Sequence, residues 1–429
     1  MLNKAILAAA AATGTQDDYW IAKLSTASNN EYINGIAATS SGDTYFTGRY
    51  TNTNAYALVG KLNADGTLAW QRTLGNTSEN QIGQDVALDS SGNIYVVISE
   101  QGFIQATYIA SYTASGTIRW QQKIQGCLLK RIVVDSSGNS YVAGYLTYGY
   151  PSAEAGFLAK FNSSGTLQWQ RRLNDGWSTR FDGLALDADG NPLVCGYHLV
   201  SSYRRFITAK YNSSGTVQFQ REISLTGDTC SAYAITSDSS SNVYVFGYLG
   251  GDLFAVKYNN SGTLSTYQAI DKSIQDIYDA ATDTSGNLYV ISSHAIGTYF
   301  SGTERRKDIY AVKFDSSLAV TWQRYLGTTN SEEGYAISTK SSTGMYLAGL
   351  TYSNTTTAPN GLVAFLPASG LLTGTYGSYY YDSVAWSTTS RSYLATTPSM
   401  TNTTTTLTVS SASLTDAAVT LTVTKTDVQ

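Results

Sequence analysis

Asp135-Ser136-Ser137-Gly138-Asn139-Ser140-Tyr141-Val142-Ala143-Gly144, followed by Phe157-Leu158-Ala159-Lys160-Phe161-Asn162-Ser163-Ser164-Gly165-Thr166-Leu167-Gln168-Trp169-Gln170, decides how this chain folds. Its apolar runs are rich in Tyr, Val, Phe and Leu, which suit a pleated, half-buried surface, and Ser-Ser-Gly turns bound them. Three strands are expected, one around Tyr141, one around Phe157 and one ending on Trp169.

The unit recurs along most of the chain. Its first turn is indexed at Gly42, Gly92, Gly138, Gly190, Ser241, Gly286 and Thr343, in steps of 50, 46, 52, 51, 45 and 57 residues. Three residues after each index stands a strand residue: Tyr45, Tyr95, Tyr141, Leu193, Tyr244, Tyr289 and Tyr346. The second turn is indexed at Gly66, Gly116, Gly165, Gly215, Gly262, Leu318 and Gly370. Periods of roughly 40–50 residues built only of strands mark propeller blades, four-stranded sheets that bury their faces only against neighbours. The spacing predicts an all-β, seven-bladed β-propeller over residues 20–370. An Ala-rich arm over residues 1–19 precedes it, and a Thr/Ser-rich C-terminal β segment over residues 371–429 follows.

Ring closure is legible too. The outermost strand after the second turn carries an aromatic at Trp70, Trp120, Trp169, Phe219, Tyr267 and Trp322, whereas Gly374 holds the seventh place. The missing aromatic lies at the start: Trp20 stands 22 residues before Gly42, as Trp70 does before Gly92. The N-terminal strand is therefore expected to complete the last blade, tying the ring shut and removing open edges.

Composition agrees with this and removes several functions. With 42% hydrophobic and 14% charged residues among 429, the chain suits a folded β-rich protein. Thirty-eight Gly against five Pro suit many tight turns. A net charge of −4, without a Lys/Arg cluster interleaved with aromatics, gives nothing to grip phosphates, and nucleic acid is not expected as a partner. Membrane insertion is not expected either, since the Ala5–Ala12 run is too short to span a bilayer. Met1-Leu2-Asn3-Lys4 and that run make a weak leader-like segment, read as an uncleaved arm docking on a partner.

Candidate chemistry is sparse. Cys127, Cys195 and Cys230 occupy unlike places and imply no disulfide framework or metal pair; Cys195, in the place of Ala143, reads as a small buried filler. His198 and His294 have no second His or Cys nearby in sequence. Asp187-Ala188-Asp189-Gly190-Asn191 has the opening of a calcium loop, but residues 187–198 end on His198 where a bidentate Glu is needed, so a β-turn is expected. Asp89, Asp135, Asp187, Asp238 and Asp283 each precede the repeated turn and read as turn-capping residues rather than a catalytic pair. No nucleophile elbow, metalloprotease motif or phosphate loop is present, so no catalytic residue, metal or cofactor is expected.

Loop lengths separate the two faces. From second-strand to third-strand marker, Gly48 to Lys61 through Gly349 to Phe365, the spans range from 10 to 21 residues, whereas the Ser-Ser-Gly turns hardly vary. Variable loops above a rigid scaffold are where binding residues tend to sit. The variable face is expected to carry Tyr148, Tyr150, His198, Tyr203, Arg204, Arg205, Tyr299, Phe300, Arg305 and Arg306. Rings with guanidinium groups can stack on sugars and grip acidic groups, although solvated loops of a Tyr-rich chain carry such residues without any partner. In the tail, the alternating runs Thr404–Val409 and Val419–Thr424 suggest a hairpin or small β-domain, packed on the propeller or on another subunit because two strands alone are marginal.

Ser90-Ser91-Gly92-Asn93-Ile94-Tyr95-Val96 with Ser164-Gly165-Thr166-Leu167-Gln168-Trp169 resembles the bacterial β-propeller repeat family over about Trp20 to Gly370. That resemblance implies the fold and no particular chemistry. The Gly-Thr-Leu-x-Trp strand is also similar to quinoprotein and outer-membrane-assembly propellers, but the eight blades and cofactor ligands of the former are not met. Met1-Leu2-Asn3-Lys4-Ala5-Ile6-Leu7, running almost directly into Trp20-Ile21-Ala22, resembles propeller-bearing virion proteins of tailed bacteriophages. What this implies is a non-enzymatic virion protein, a tail or fibre component. Its partners would be other virion proteins or its own copies, and a host-surface glycan or protein. A secreted or surface-anchored bacterial binding propeller and a capsid decoration protein are the alternatives.

Overall fold

The computed structural model describes residues 19–25, 30–51, 54–75, 79–101, 106–147, 154–174, 176–224, 227–270, 276–300, 304–339, 343–353 and 356–370, with eight short strand segments between residues 374 and 428. Seven antiparallel sheets form the blades. The innermost strands of blades 1 to 7 are Asn30–Ala38, Asn80–Leu88, Cys127–Val134, Thr179–Leu186, Cys230–Ser237, Asp276–Thr282 and Glu332–Thr339. Blade 3 shows the plan: Cys127–Val134, Ser140–Leu146, Ala155–Phe161 and Leu167–Asn174 run outward as a meander. In such a meander the first and third connections, here the Ser-Ser-Gly turns, share one face. The second connection and the link to the next blade share the other.

Blade 7 takes its fourth strand from the beginning of the chain. Tyr19–Ser25 pairs with Thr356–Pro367 in the register Trp20↔Phe365 to Leu24↔Gly361. The arm expected over residues 1–19 lies outside the described residues, apart from Tyr19.

The tail packs on the propeller, one of the two expected placements, but in an arrangement the sequence did not suggest. Its described segments add a strand to the outer edge of every blade, in reverse order around the ring. Tyr379–Ser383 pairs on blade 6, Thr388–Thr389 on blade 5, Leu394–Thr396 on blade 4 and Thr401–Thr404 on blade 3. Val409–Ser411 follows on blade 2, Thr415–Ala418 on blade 1, and Thr422–Val428 on the N-terminal strand of blade 7. The runs expected to pair with each other as a hairpin thus flank or form strands on separate blades. Closing the ring joins the ends but leaves each blade an unpaired outer edge, and the tail supplies the missing ladder.

The repeated residues have clear work. Asp89 Oδ1 accepts from the Ser91 and Asn93 amides at 2.9 and 2.8 Å, and Oδ2 accepts from Asn93 Nδ2 and the Tyr95 hydroxyl at 2.8 and 3.2 Å. Asp238 and Asp283 repeat the pattern with Tyr244 and Tyr289, so the recurrent tyrosine is the far end of an Asx turn. In blade 4, where Leu193 has no hydroxyl, Lys210 Nζ bonds Asp187 Oδ2 at 2.6 Å. The Asp187 segment is therefore a turn closed by its own backbone amides and a lysine.

The outer aromatics lock each blade to the next. Trp20 Nε1 donates to Ala64 O at 3.0 Å, and its ring lies so close over Gly66 that a Cβ there would stand 2.6 Å away. Trp70 on Gly116, Trp120 on Gly165, Trp169 on Gly215 and Trp322 on Gly370 repeat this contact. The glycine is needed twice over, for its positive φ and for the absent Cβ. Where Leu318 replaces it, a buried side chain fills the seat, and Tyr267 turns outward, 38% exposed, against Phe254. The column is graded: Trp20, Phe219 and Trp322 are buried, while Trp70, Trp120 and Trp169 are half-buried.

The core lies between blades. One cluster gathers Tyr95, Val97 and Ile109 of blade 2 against Leu129, Val142 and Phe157 of blade 3. Cys127, Cys195 and Cys230 are fully buried free thiols, and burial pushes Cys127 up to about 12, as suits inert fillers.

Candidate functional site

Every innermost strand carries one extra residue. Its pairing to the second strand skips between Ile33 and Gly35, Gly83 and Asp85, Leu129 and Arg131, and Phe181 and Gly183. It skips again between Ala232 and Ala234, Ile277 and Asp279, and Gly334 and Ala336. A bulge leaves that residue unpaired and re-aims its side chain. Gly144 shows how the bulge is seated: a Cβ there would meet Leu128 O at 2.0 Å, and Gly48, Gly196, Gly247 and Gly349 show the same approach.

The bulged residues are Asn34, Gln84, Lys130, Asp182, Tyr233, Tyr278 and Tyr335, and all seven line one axial cavity of about 370 Å³. Asp276, which opens the inner strand of blade 6, lines it too, so the cavity faces the variable-loop side. Three phenols from blades 5 to 7 make one wall, with Tyr278 and Tyr335 edge-on at 4.9 Å. Two amides and the Lys130–Asp182 ion pair stand opposite. Asn34 Nδ2 donates to Gly83 O at 2.9 Å and Gln84 Nε2 to Ser99 Oγ at 2.7 Å, which hold the amides in place.

Arg131 plugs the floor. It reaches from blade 3 to donate to Asp182 O at 3.0 Å and to Tyr278 O, and it lies 3.9 Å from the Asp279 carboxylate. Asp85 Oδ2 accepts from the Ile132 amide and Asp279 Oδ2 from the Ile337 amide, each at 3.0 Å, so both carboxyls pin the inner strand of the next blade. Asp85 and Asp279 are half-buried. Burial raises both, Asp85 to about 7, with Arg131 opposing it and Asp279 adding to it. Burial, with Asp276 and Glu333 nearby, also raises Tyr278, and burial with Glu333 raises Tyr335, keeping both phenols protonated.

Among the described residues expected on the variable face, several are committed to contacts within the blades. His198 is a correction: it is buried on the strand Pro192–Val200, with Nδ1 2.7 Å from Glu222 Oε2. Arg205 donates to the other oxygen of Glu222 at 2.7 Å, so it too is committed internally. Burial pushes Glu222 up, but these two hydrogen bonds outweigh it and hold the carboxyl low. Tyr203 is 47% exposed at the hairpin tip, and Arg204 stacks on Tyr197 at 4.4 Å. Arg306 lies half-buried, 3.5 Å from Asp308. Tyr299 is paired in backbone register with Arg305, and Phe300 with Glu304, on a hairpin formed by Leu288–Phe300 and Glu304–Phe314. Tyr148 and Tyr150 lie outside the described residues. The long connections of blades 4 and 6 are thus extensions of paired strands.

Sequence reasoning missed the axial residues, although a signal existed. Each stands eight residues before its turn index, from Asn34 before Gly42 to Tyr335 before Thr343, a polar or phenolic place directly after an apolar or small one. A bulge breaks strand alternation, so the place does not announce which way it points. Also missed was the ladder over blades 3 and 4, where Arg180, paired to Glu154, stacks on Tyr145 at 4.2 Å and Tyr197 at 5.6 Å.

Among the described residues, no group of three or more His, Cys, Asp or Glu is placed to hold a metal ion. No curated protein matches the chain. Solved structures give distant likenesses. A protein of unknown function from Bacteroides caccae is 14% identical, covering 69% of this chain and 93% of that one, with a TM-score of 0.41. One of unknown function from Dyadobacter fermentans is 9% identical, covering 80% and 96%, with a TM-score of 0.46. The phage phi92 endosialidase is 11% identical, covering 82% and 69%, with a TM-score of 0.47. The family model described as outer membrane protein assembly factor BamB matches residues 55–370, most of the chain, and to that family of β-propellers this protein belongs.

Proposed function

We propose that this protein is a non-enzymatic attachment module that meets its partner through the variable-loop face. The supporting observation is the asymmetry of the disc. On one face, near-identical turns are closed by their own Asp and Asn side chains. On the other, hairpins of unequal length surround the axial cavity. Carboxyls near the axis serve structure in this reading: Asp182 pairs with Lys130, while Asp85 and Asp279 hold backbone amides. The setting we favour is a tailed-phage particle, with the partner a host-surface glycan or protein; its support is the resemblance carried by residues 1–7. Membership of a family described by an outer-membrane assembly factor favours a second setting, the bacterial envelope.

Intact-mass measurement of the native protein separates the settings, since a chain starting at Met1 or Leu2 disfavours secretion. Attachment itself is tested by adsorption of the folded protein to cells, comparing wild type with Tyr203→Ala/Arg204→Ala/Tyr299→Ala/Arg305→Ala. Loss of adsorption at unchanged circular dichroism is expected. Normal adsorption by the folded variant would remove the hairpin tips from the attachment surface.

A further inference from the structure

We infer that the axial cavity is a binding site for a neutral saccharide. This goes beyond attachment through the hairpin tips, because it uses other residues and needs neither a particle nor a cell. The seven-fold repetition of the bulge places one side chain per blade around the axis, yet those side chains are not alike. Three adjacent blades present Tyr233, Tyr278 and Tyr335, the half-apolar wall that the C–H face of a sugar ring packs against. The opposite arc presents Asn34 and Gln84, each of whose amides has donors and an acceptor, beside Lys130 and Asp182. Hydroxyl groups need donors and acceptors together, and this arc supplies both.

Charge argues for a neutral ligand. The cavity's charged lining residues balance, with Lys130 and Arg131 against Asp182 and Asp276. Asp276 is further tied to Lys307 at 3.3 Å. An anion would meet the carboxyls of Asp182 and Asp276, and a cation would meet Lys130 and Arg131. The volume of about 370 Å³ falls within the range of small-ligand pockets.

The test titrates the full-length protein with a panel of neutral mono- and oligosaccharides by calorimetry, with saturation-transfer difference NMR on the sugar protons. Small amines and acidic sugars are run beside them. Saturable binding of a neutral saccharide is expected, with ring C–H protons receiving the transfer. Tyr278→Ala/Tyr335→Ala should weaken it about tenfold or more, as loss of anchoring aromatics does. Because that pair could disturb the ring, Asn34→Leu, which keeps the shape and removes the amide, should weaken it as well while circular dichroism stays that of the folded ring, the lost bond to Gly83 O showing only as a small fall in melting temperature. The hairpin variant Tyr203→Ala/Arg204→Ala/Tyr299→Ala/Arg305→Ala should bind the saccharide as wild type does, even if it fails to adsorb to cells. Absence of saccharide binding, binding that survives both axial variants, or preference for amines or acidic sugars would overturn the inference.

Discussion

Trp20→Ala asks whether the chain's two ends hold the ring together. Trp20 is 0% exposed, donates to Ala64 O at 3.0 Å and lies 6.2 and 6.4 Å from the rings of Tyr346 and Phe365. Truncating a large buried aromatic costs about 3–5 kcal/mol through lost transfer energy and the cavity left behind. The rim carbonyl of Ala64 also loses its donor. If the ring melts as one unit, an unfolding entropy of about 2.1 cal/mol/K per residue over 429 residues converts this to a fall in Tm of roughly 3–6 °C. Trp120 makes the same bond at 3.0 Å but is half-buried, so Trp120→Ala should cost clearly less. The assay is differential scanning calorimetry of both variants. A Trp20→Ala cost below about 1 kcal/mol, the size of a surface substitution, or a larger cost at Trp120, would show that the N-terminal strand does not hold the ring shut.

Three further outcomes follow from the same geometry. Truncation after Gly370 should uncover seven outer strand edges and drive aggregation, read by light scattering; a monodisperse truncated ring would show that the edges need no cover. Gly144→Ala should unseat the blade 3 bulge, because the new Cβ would stand 2.0 Å from Leu128 O, and a melting temperature within a degree of wild type would deny the close approach. Asp85 keeps its proton up to about pH 7 when folded but ionises near 3.8 when unfolded, so the folded state holds more protons between those values. Its contribution to stability therefore falls as pH rises through that window, by up to a few kcal/mol. Asp85→Asn should accordingly gain on wild type between pH 4 and pH 8 in thermal melts, and a constant difference would show that the carboxyl is not held neutral.

The ring was legible because its information is periodic and local. Asp135, Gly138 and Tyr141 fix a turn and its cap within seven residues, and the repeat multiplies that signal. Trp20 could be assigned to the last blade because it stands at the repeat's distance from Gly42. The tail was not legible for the opposite reason. Its strands are two to seven residues long, and all but Gly374–Tyr376, which pairs with Tyr379–Ser383, pair with a blade far away in sequence, so alternation in Thr-rich runs could not say what they pair with. His198 misled because strand pairing continues past the blade body in blade 4, turning an expected loop residue into a buried partner of Glu222. Asp182 comes from the blade beside Arg131, but Asp279 comes from three blades away in the chain, and only ring closure brings it to Arg131.

Adsorption of face-selective variants tests most directly whether the variable-loop face is the attachment surface. One variant carries the hairpin-tip substitutions together with Tyr278→Ala and Tyr335→Ala. The other carries Ser164→Lys, Ser214→Lys and Ser261→Lys on the exposed Ser-Ser-Gly turns of the opposite face. With both folded by circular dichroism, the first should lose adsorption to cells and the second should keep it. Retained adsorption by the first and loss by the second would place attachment on the turn face instead.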